Sequence, residues 1–134
     1  MQRETQMKTN QLTGAALDWA VVKCECDMPA PFKSIPVVLN GTVRVFRGDM
    51  GLHSAPISPS TNWAQGGMII EREGIAVWQF DDVTWRAMGK DAVPDPMEGT
   101  TPLIAAMRCY VASKLGDEVE IPTELTQGEA ACQT

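Results

Sequence analysis

Residues 58–74 read Ser58-Pro59-Ser60-Thr61-Asn62-Trp63-Ala64-Gln65-Gly66-Gly67-Met68-Ile69-Ile70-Glu71-Arg72-Glu73-Gly74, and the rest of the chain is best read outward from them. The stretch opens on hydroxyl side chains around a proline and closes on charges and a glycine. Between these lie Trp63, Met68, Ile69 and Ile70, which read as the buried side of a helix. Ser60, Thr61 or Asn62 can cap its start, because each carries an oxygen that accepts from an otherwise unpaired backbone N–H. Gly74 can end it in a left-handed conformation. Gly66 and Gly67 are the anomaly, since each costs a helix interior about 1 kcal/mol relative to Ala. Glycine at such a cost predicts close approach, either by a packed backbone or by a ligand.

Upstream, Leu12 to Cys24 predicts a first helix with Thr13 as cap. Leu17, Ala20, Val21 and Cys24 form one apolar stripe, Asp18 and Lys23 lie off it, and Trp19 stands beside it. The prolines Pro29 and Pro31 stop this helix. Ser34 to Phe46 reads as a hairpin, because Asn40-Gly41 between two β-branched runs is the signature of a type I′ turn. Downstream, Ile75 to Phe80 and Thr84 to Met88 predict a second hairpin around Asp81-Asp82, with Ala76, Trp78 and Phe80 on one face. Gly89 to Thr100 reads as a loop or lid. Thr101, Pro102 and Gly116 mark the start and end of a third helix whose broad apolar face includes Leu103, Met107, Tyr110 and Val111. Val119 to Pro122 predicts a short edge strand. The order implies an α+β domain: an antiparallel sheet of two hairpins plus the C-terminal strand, packed with three helices in an α-β-α layered arrangement. Residues 1–10 read as a polar extension, 11–122 as a single domain and 123–134 as an acidic, loose tail. Met7 is a candidate translation start, and in that reading residues 1–6 add nothing to the fold.

Charge narrows the choice of partners. The net charge is −6, and the five acids after Lys114 account for nearly all of it: the first 114 residues carry 11 basic and 12 acidic side chains. No basic patch is visible, so direct nucleic-acid binding is not expected. No apolar run approaches the roughly 20 residues of a membrane span, and residues 1–10 lack the apolar core of a signal peptide. The expected location is the cytoplasm. Cys24, Cys26, Cys109 and Cys132 do not have zinc-site spacing, and His53 is the single histidine, so no metal site or cofactor is expected.

Catalysis has little to stand on. His53 lies close in sequence to Ser54, Ser58 and Ser60, a weak hydrolase alternative without a Gly-x-Ser-x-Gly elbow. Asp81-Asp82 reads as a turn former rather than a cation site. A phosphate-bearing, nucleotide-like ligand is better supported, because amides at a helix start carry partial positive charge and attract anions. The candidate ligand-binding residues are Ser58, Ser60, Thr61, Asn62, Trp63, Gly66 and Gly67 at the helix start, Trp85 as a stacking surface and Arg108 as a cation. The competing expectation is a protein-interaction module that engages a host protein through the 34–46 hairpin or the acidic tail.

Four stretches together, Leu12 to Val21, Ser58 to Glu73, the tryptophan hairpin, and Thr101 to Val119, resemble the NinX-like family of phage and prophage proteins. The resemblance covers most of residues 7–122. The family pattern usually has Asp where this chain has Asn62 and Pro where it has Met68, and the 34–46 hairpin looks like an insertion. The family is distantly similar to phage domains described as α-β-α sandwiches. Its function is unknown, so the resemblance implies a bacteriophage accessory protein and carries over no catalytic residue. By analogy with phage proteins that sequester nucleotide-derived defence signals, it implies a non-enzymatic, homo-oligomeric binding module in the host cytoplasm.

Overall fold

A computed structural model describes residues 4–26, 34–39, 41–47, 51–52, 57–90 and 95–126. The elements run β1 (Glu4–Lys8), a 3-10 turn (Thr9–Gln11), α1 (Gly14–Cys26), β2 (Ser34–Leu39), β3 (Thr42–Arg47), β4 (Gly51–Leu52), α2 (Trp63–Glu73), β5 (Ala76–Gln79), β6 (Trp85–Met88), β7 (Met97–Gly99), α3 (Pro102–Leu115) and β8 (Glu118–Pro122). Among the described residues every strand pairing is antiparallel, and the class is α+β. No helix among the described residues is long and apolar enough to cross a membrane.

Two helices form the interior. α1 buries Ala16, Leu17, Trp19, Ala20, Val21, Val22 and Cys24, which go round the helix rather than along one stripe. α3 buries Leu103, Ala105, Ala106, Met107, Cys109, Tyr110, Val111 and Ala112 in the same way. A helix that is apolar on most sides needs neighbours on most sides. α1 packs on α3 and on β2 and β3, while α3 also packs on α2 and on β5, β6 and β7. The layers therefore have α1 and α3 inside, with a sheet laid against each.

This explains how the strands group. The two hairpins, expected to share one sheet, lie in separate three-stranded sheets, β2-β3-β4 and β5-β6-β7. The first packs on α1 and the second on α3. In the first, Leu39 pairs with Thr42, and Gly41 has the positive φ, +78°, that the hairpin signal requires of it. This hairpin is not a free appendage: Val43 is buried, and its carbonyl accepts from the Ile57 N–H at 2.8 Å. In the second, Val77 pairs with Ala87 and Ala87 with Met97. The stretch 89–100, expected to be all loop, thus supplies β7, which takes the free edge of β6.

The terminal strand has an unexpected partner. β8 pairs with β1 from Glu4↔Pro122 to Lys8↔Glu118, so residues 4–8 belong to the fold instead of preceding it. Their polarity hid this, because pairing uses the backbone and one face of β1 stays in solvent. β8 shows the period-2 pattern of a half-buried strand, with Val119 and Ile121 inside and Glu118 and Glu120 outside. Beyond it, residues 123–126 form a helical turn that buries Leu125, so the stretch read as a loose tail starts with a docked segment. Residues 127–134 lie outside the described residues.

Candidate functional site

The expected ligand site begins where α2 begins. Asn62 is the cap, and its Oδ1 accepts from the Ala64 N–H at 2.9 Å. The carbonyl of Ser58 accepts from the N–H groups of Thr61 and Asn62, and the carbonyl of Asn62 accepts from those of Gln65 and Gly66. The Gln65 side chain folds back to take the Ser58 N–H at 2.7 Å. The Ser60 N–H donates to Asp18 Oδ1 at 2.8 Å. The amides of Ser60, Thr61, Asn62, Ala64, Gln65 and Gly66 are thus all used within the chain. The turn into the helix does hold a carboxyl group, and it is the chain's own Asp18, reaching across from α1.

Asp18 and Ser60 are both buried, against the expectation that Asp18 lies off the packed stripe and Ser60 faces a ligand. Burial pushes the Asp18 carboxyl above its ordinary value, with the hydrogen bond from the Ser60 amide pulling the other way. The Ser60 Oγ does not reach hydrogen-bond geometry with any described residue. The cap itself makes a modest contribution. Asn62→Ala should lower unfolding free energy by about 1 kcal/mol, read as a fall in the urea midpoint at constant slope.

The two glycines differ. A Cβ on Gly66 would run into the carbonyl oxygen of Pro59 and stand 2.6 Å from Leu103 Cδ2, so the close approach is made by the fold itself. A Cβ on Gly67 would meet only the Trp63 ring, at 3.7 Å. Trp63 itself is exposed, as is Met68. The other two predicted residues lie elsewhere. Trp85 sits in β6, opposite Gln79 and Gly99. Arg108 donates from Nε to the Leu12 carbonyl at 2.8 Å and from Nη1 to the Glu98 carbonyl at 2.6 Å, which ties α3 to the start of α1 and to β7. Both of these donors serve backbone oxygens. The structure therefore gathers Ser58 to Gly67 in one place and puts Trp85 and Arg108 in another. His53 lies outside the described residues.

Two features had no signal at short sequence spacing. The first is a polar network where three helices meet. Arg72 of α2 donates to both oxygens of Glu25 of α1, at 2.9 and 2.7 Å, and to Glu73 at 2.8 Å. The hydroxyl of Tyr110 on α3 donates to Glu25 and accepts from Arg72 at 3.2 Å. Burial pushes the Glu25 carboxyl up, but the hydrogen bonds from Arg72 and Tyr110 outweigh it and hold it below its ordinary value. Burial and the Glu25 carboxylate both push the Tyr110 hydroxyl up, so it stays protonated. Beside this network a cavity of about 410 Å³ is lined by Glu73, Ile75, Gly89, Lys90, Cys109, Tyr110, Ser113 and Lys114.

The second feature is the outer face of the β5–β6–β7 sheet. Trp78, Arg86 and Glu98 are cross-strand partners there, on the face away from buried Ala87. The Arg86 guanidinium lies 3.5 Å from the centre of the Phe80 ring and bonds Glu98 at 2.7 Å. Phe80 is 52 % exposed, Val83 at the tip 72 %, and Trp78 is also open to solvent. Three large apolar side chains stand uncovered on one four-residue-strand hairpin, two of them, Trp78 and Phe80, beside an arginine whose position is already held.

A family model described as Bacteriophage P22, NinX matches residues 8–114. No curated protein matches the chain.

Proposed function

Since the chain belongs to the NinX family of bacteriophage P22, and is therefore a phage accessory protein, we propose that it is a non-enzymatic binding module that engages a host protein in the host cytoplasm. The observation that carries this reading is the exposed face built from Trp78, Phe80, Val83 and Arg86. Aromatic residues and arginine are enriched in the centres of protein interfaces. Here Glu98 holds Arg86 and Arg86 stacks on Phe80, so little side-chain freedom remains to be lost on docking. The first hairpin, an earlier candidate for this role, is less suited because α1 takes one of its faces.

The test is in-cell crosslinking of tagged protein in the infected host, followed by identification of the crosslinked partner. Trp78→Ser and Phe80→Ser should each lose the partner while keeping the wild-type circular dichroism spectrum. A partner retained by both folded variants would remove this face from the account.

A phosphate-bearing ligand remains a second reading, with its place changed. The amides at the start of α2 are committed to the chain, whereas the 410 Å³ cavity has on its lining the ammonium groups of Lys90 and of Lys114, the second 3.8 Å from Glu73. Native mass spectrometry of protein from infected cells distinguishes the readings. A retained phosphate-containing mass, lost in Lys90→Ala but kept in Thr61→Ala, supports the cavity; loss in Thr61→Ala alone supports the helix start.

A further inference from the structure

β5 has β6 on one side and, among the described residues, no strand on the other. The Phe80 N–H donates to the Thr84 carbonyl at 2.9 Å, which makes these two a hydrogen-bonded pair at the hairpin end. Such pairs alternate along an antiparallel ladder. Trp78–Arg86 and Ala76–Met88 are therefore hydrogen-bonded pairs, and Val77 and Gln79 turn their N–H and C=O groups to the open side. Proteins ordinarily blunt an open edge with lysine, proline or a bulge. Gly74 to Phe80 contains neither a charge nor a proline, and most of it favours extended backbone. An edge of this kind is suited to being occupied.

We propose that the occupant is a second copy of this chain, paired through β5 about a twofold axis at Trp78. This deepens the reading of the β5–β6 hairpin as an interface and rests on it. Antiparallel pairing in that register sets Val77 opposite Gln79 of the second copy, and Gln79 opposite the second copy's Val77. The outward groups then meet as two hydrogen-bonded pairs. The two Trp78 residues fall between them as the close, non-hydrogen-bonded pair, side by side on the outer face. The two exposed faces become one.

Charge selects a second copy over an unrelated strand. The same register points the hairpin tip that carries Asp82, just beyond the end of β5, towards the Gly74 end of β5 in the other copy. Lys90 packs on Gly74, with its Cδ 3.5 Å from where a Cβ would stand. Neither Asp82 nor Lys90 belongs to an ion pair among the described residues. Pairing brings this carboxylate and this ammonium towards each other at both ends of an uncharged strand.

Light scattering on the full chain from about 1 to 100 μM should show twice the chain mass. Gln79→Pro removes an outward N–H that the chain's own sheet does not use, and should weaken the dimer at least about tenfold with an unchanged circular dichroism spectrum. Asp82→Lys and Lys90→Glu should each weaken it by about three- to tenfold, and the double variant should restore it. Amide exchange at Val77 and Gln79 should slow as concentration rises, a readout that decides the matter even if Gln79→Pro does not fold. A monomer at every concentration, a folded Gln79→Pro dimer of wild-type affinity, or fast exchange at both amides in the dimer would each overturn the pairing. A monomer that still captures a host protein through Trp78 sinks the pairing alone, and a β5-paired dimer with no such partner sinks the host-binding reading alone.

Discussion

Gly66→Ala should cost about 3 kcal/mol of stability, while Gly67→Ala, one residue along the same helix, should gain about 0.5–1 kcal/mol. Both positions are interior to α2, and both gain helix propensity and lose unfolded-state freedom when a methyl is added. They differ in what the methyl meets. At Gly66 it overlaps the carbonyl oxygen of Pro59 and comes within 2.6 Å of Leu103 Cδ2. Leu103 is buried at the start of α3, and Pro59 is held by the bonds that set the turn into α2. Relief therefore requires α2 to move off α3, which also disturbs the Ser60–Asp18 contact. At Gly67 the neighbour is the edge of an exposed Trp63 ring at ordinary contact distance, and the ring can shift into solvent. Urea unfolding of the two variants reads the difference directly, as midpoint shifts of opposite sign at constant slope. Equal effects at the two sites would mean that the α2–α3 contact is looser than described. The contrast also bears on function, because the room that a ligand would need at Gly66 is filled by the protein.

Local signals were read well because they are local. Asn62, Thr101, Gly74 and Gly116 act within one turn of where they sit, and each caps the helix expected of it. Gly41, at positive φ between the paired Leu39 and Thr42, works at the same short range. What escaped detection depends on partners far apart in the chain. β1 finds β8 through backbone groups that polar side chains do not advertise. The grouping of strands into separate sheets follows from α1 and α3 being buried all round, and one stripe at helical spacing does not reveal that. The network of Glu25, Arg72 and Tyr110 draws one residue from each of three helices, so no spacing marks it. At the expected ligand site the composition was right and the conclusion incomplete. Hydroxyl and amide residues do crowd the start of α2, but the acceptors for their backbone N–H groups come from residues 18, 58, 62 and 65 of the same chain. A helix start with anion-binding chemistry needs its amides free, and freedom is a property of the tertiary structure.

Asp18 turns that observation into a second large effect. Asp18→Ala should cost about 2 kcal/mol near neutral pH, because it strands the buried Ser60 N–H without an acceptor. Asp18→Asn keeps an acceptor and isolates the charge. The sign follows from where the proton is held. Burial raises the folded-state value above 3.8, so between that value and the folded one the native chain binds more protons than the unfolded chain. The contribution of Asp18 is therefore fully present below its unfolded value and declines as pH rises through the folded value. Asp18→Asn should lack this decline and gain on wild type as pH rises from about 4 towards 7. Glu25 acts in the opposite sense. Its folded-state value lies below 4.5, so its stabilisation is present above 4.5 and is lost as pH falls through the folded value. Glu25→Gln should flatten the acid limb that Asp18→Asn leaves intact. Urea midpoints for the three proteins across about pH 3 to 8 separate the two carboxyls. An Asp18→Asn curve parallel to wild type throughout would mean that Asp18 is solvated, and the start of α2 would then be open to an external anion after all.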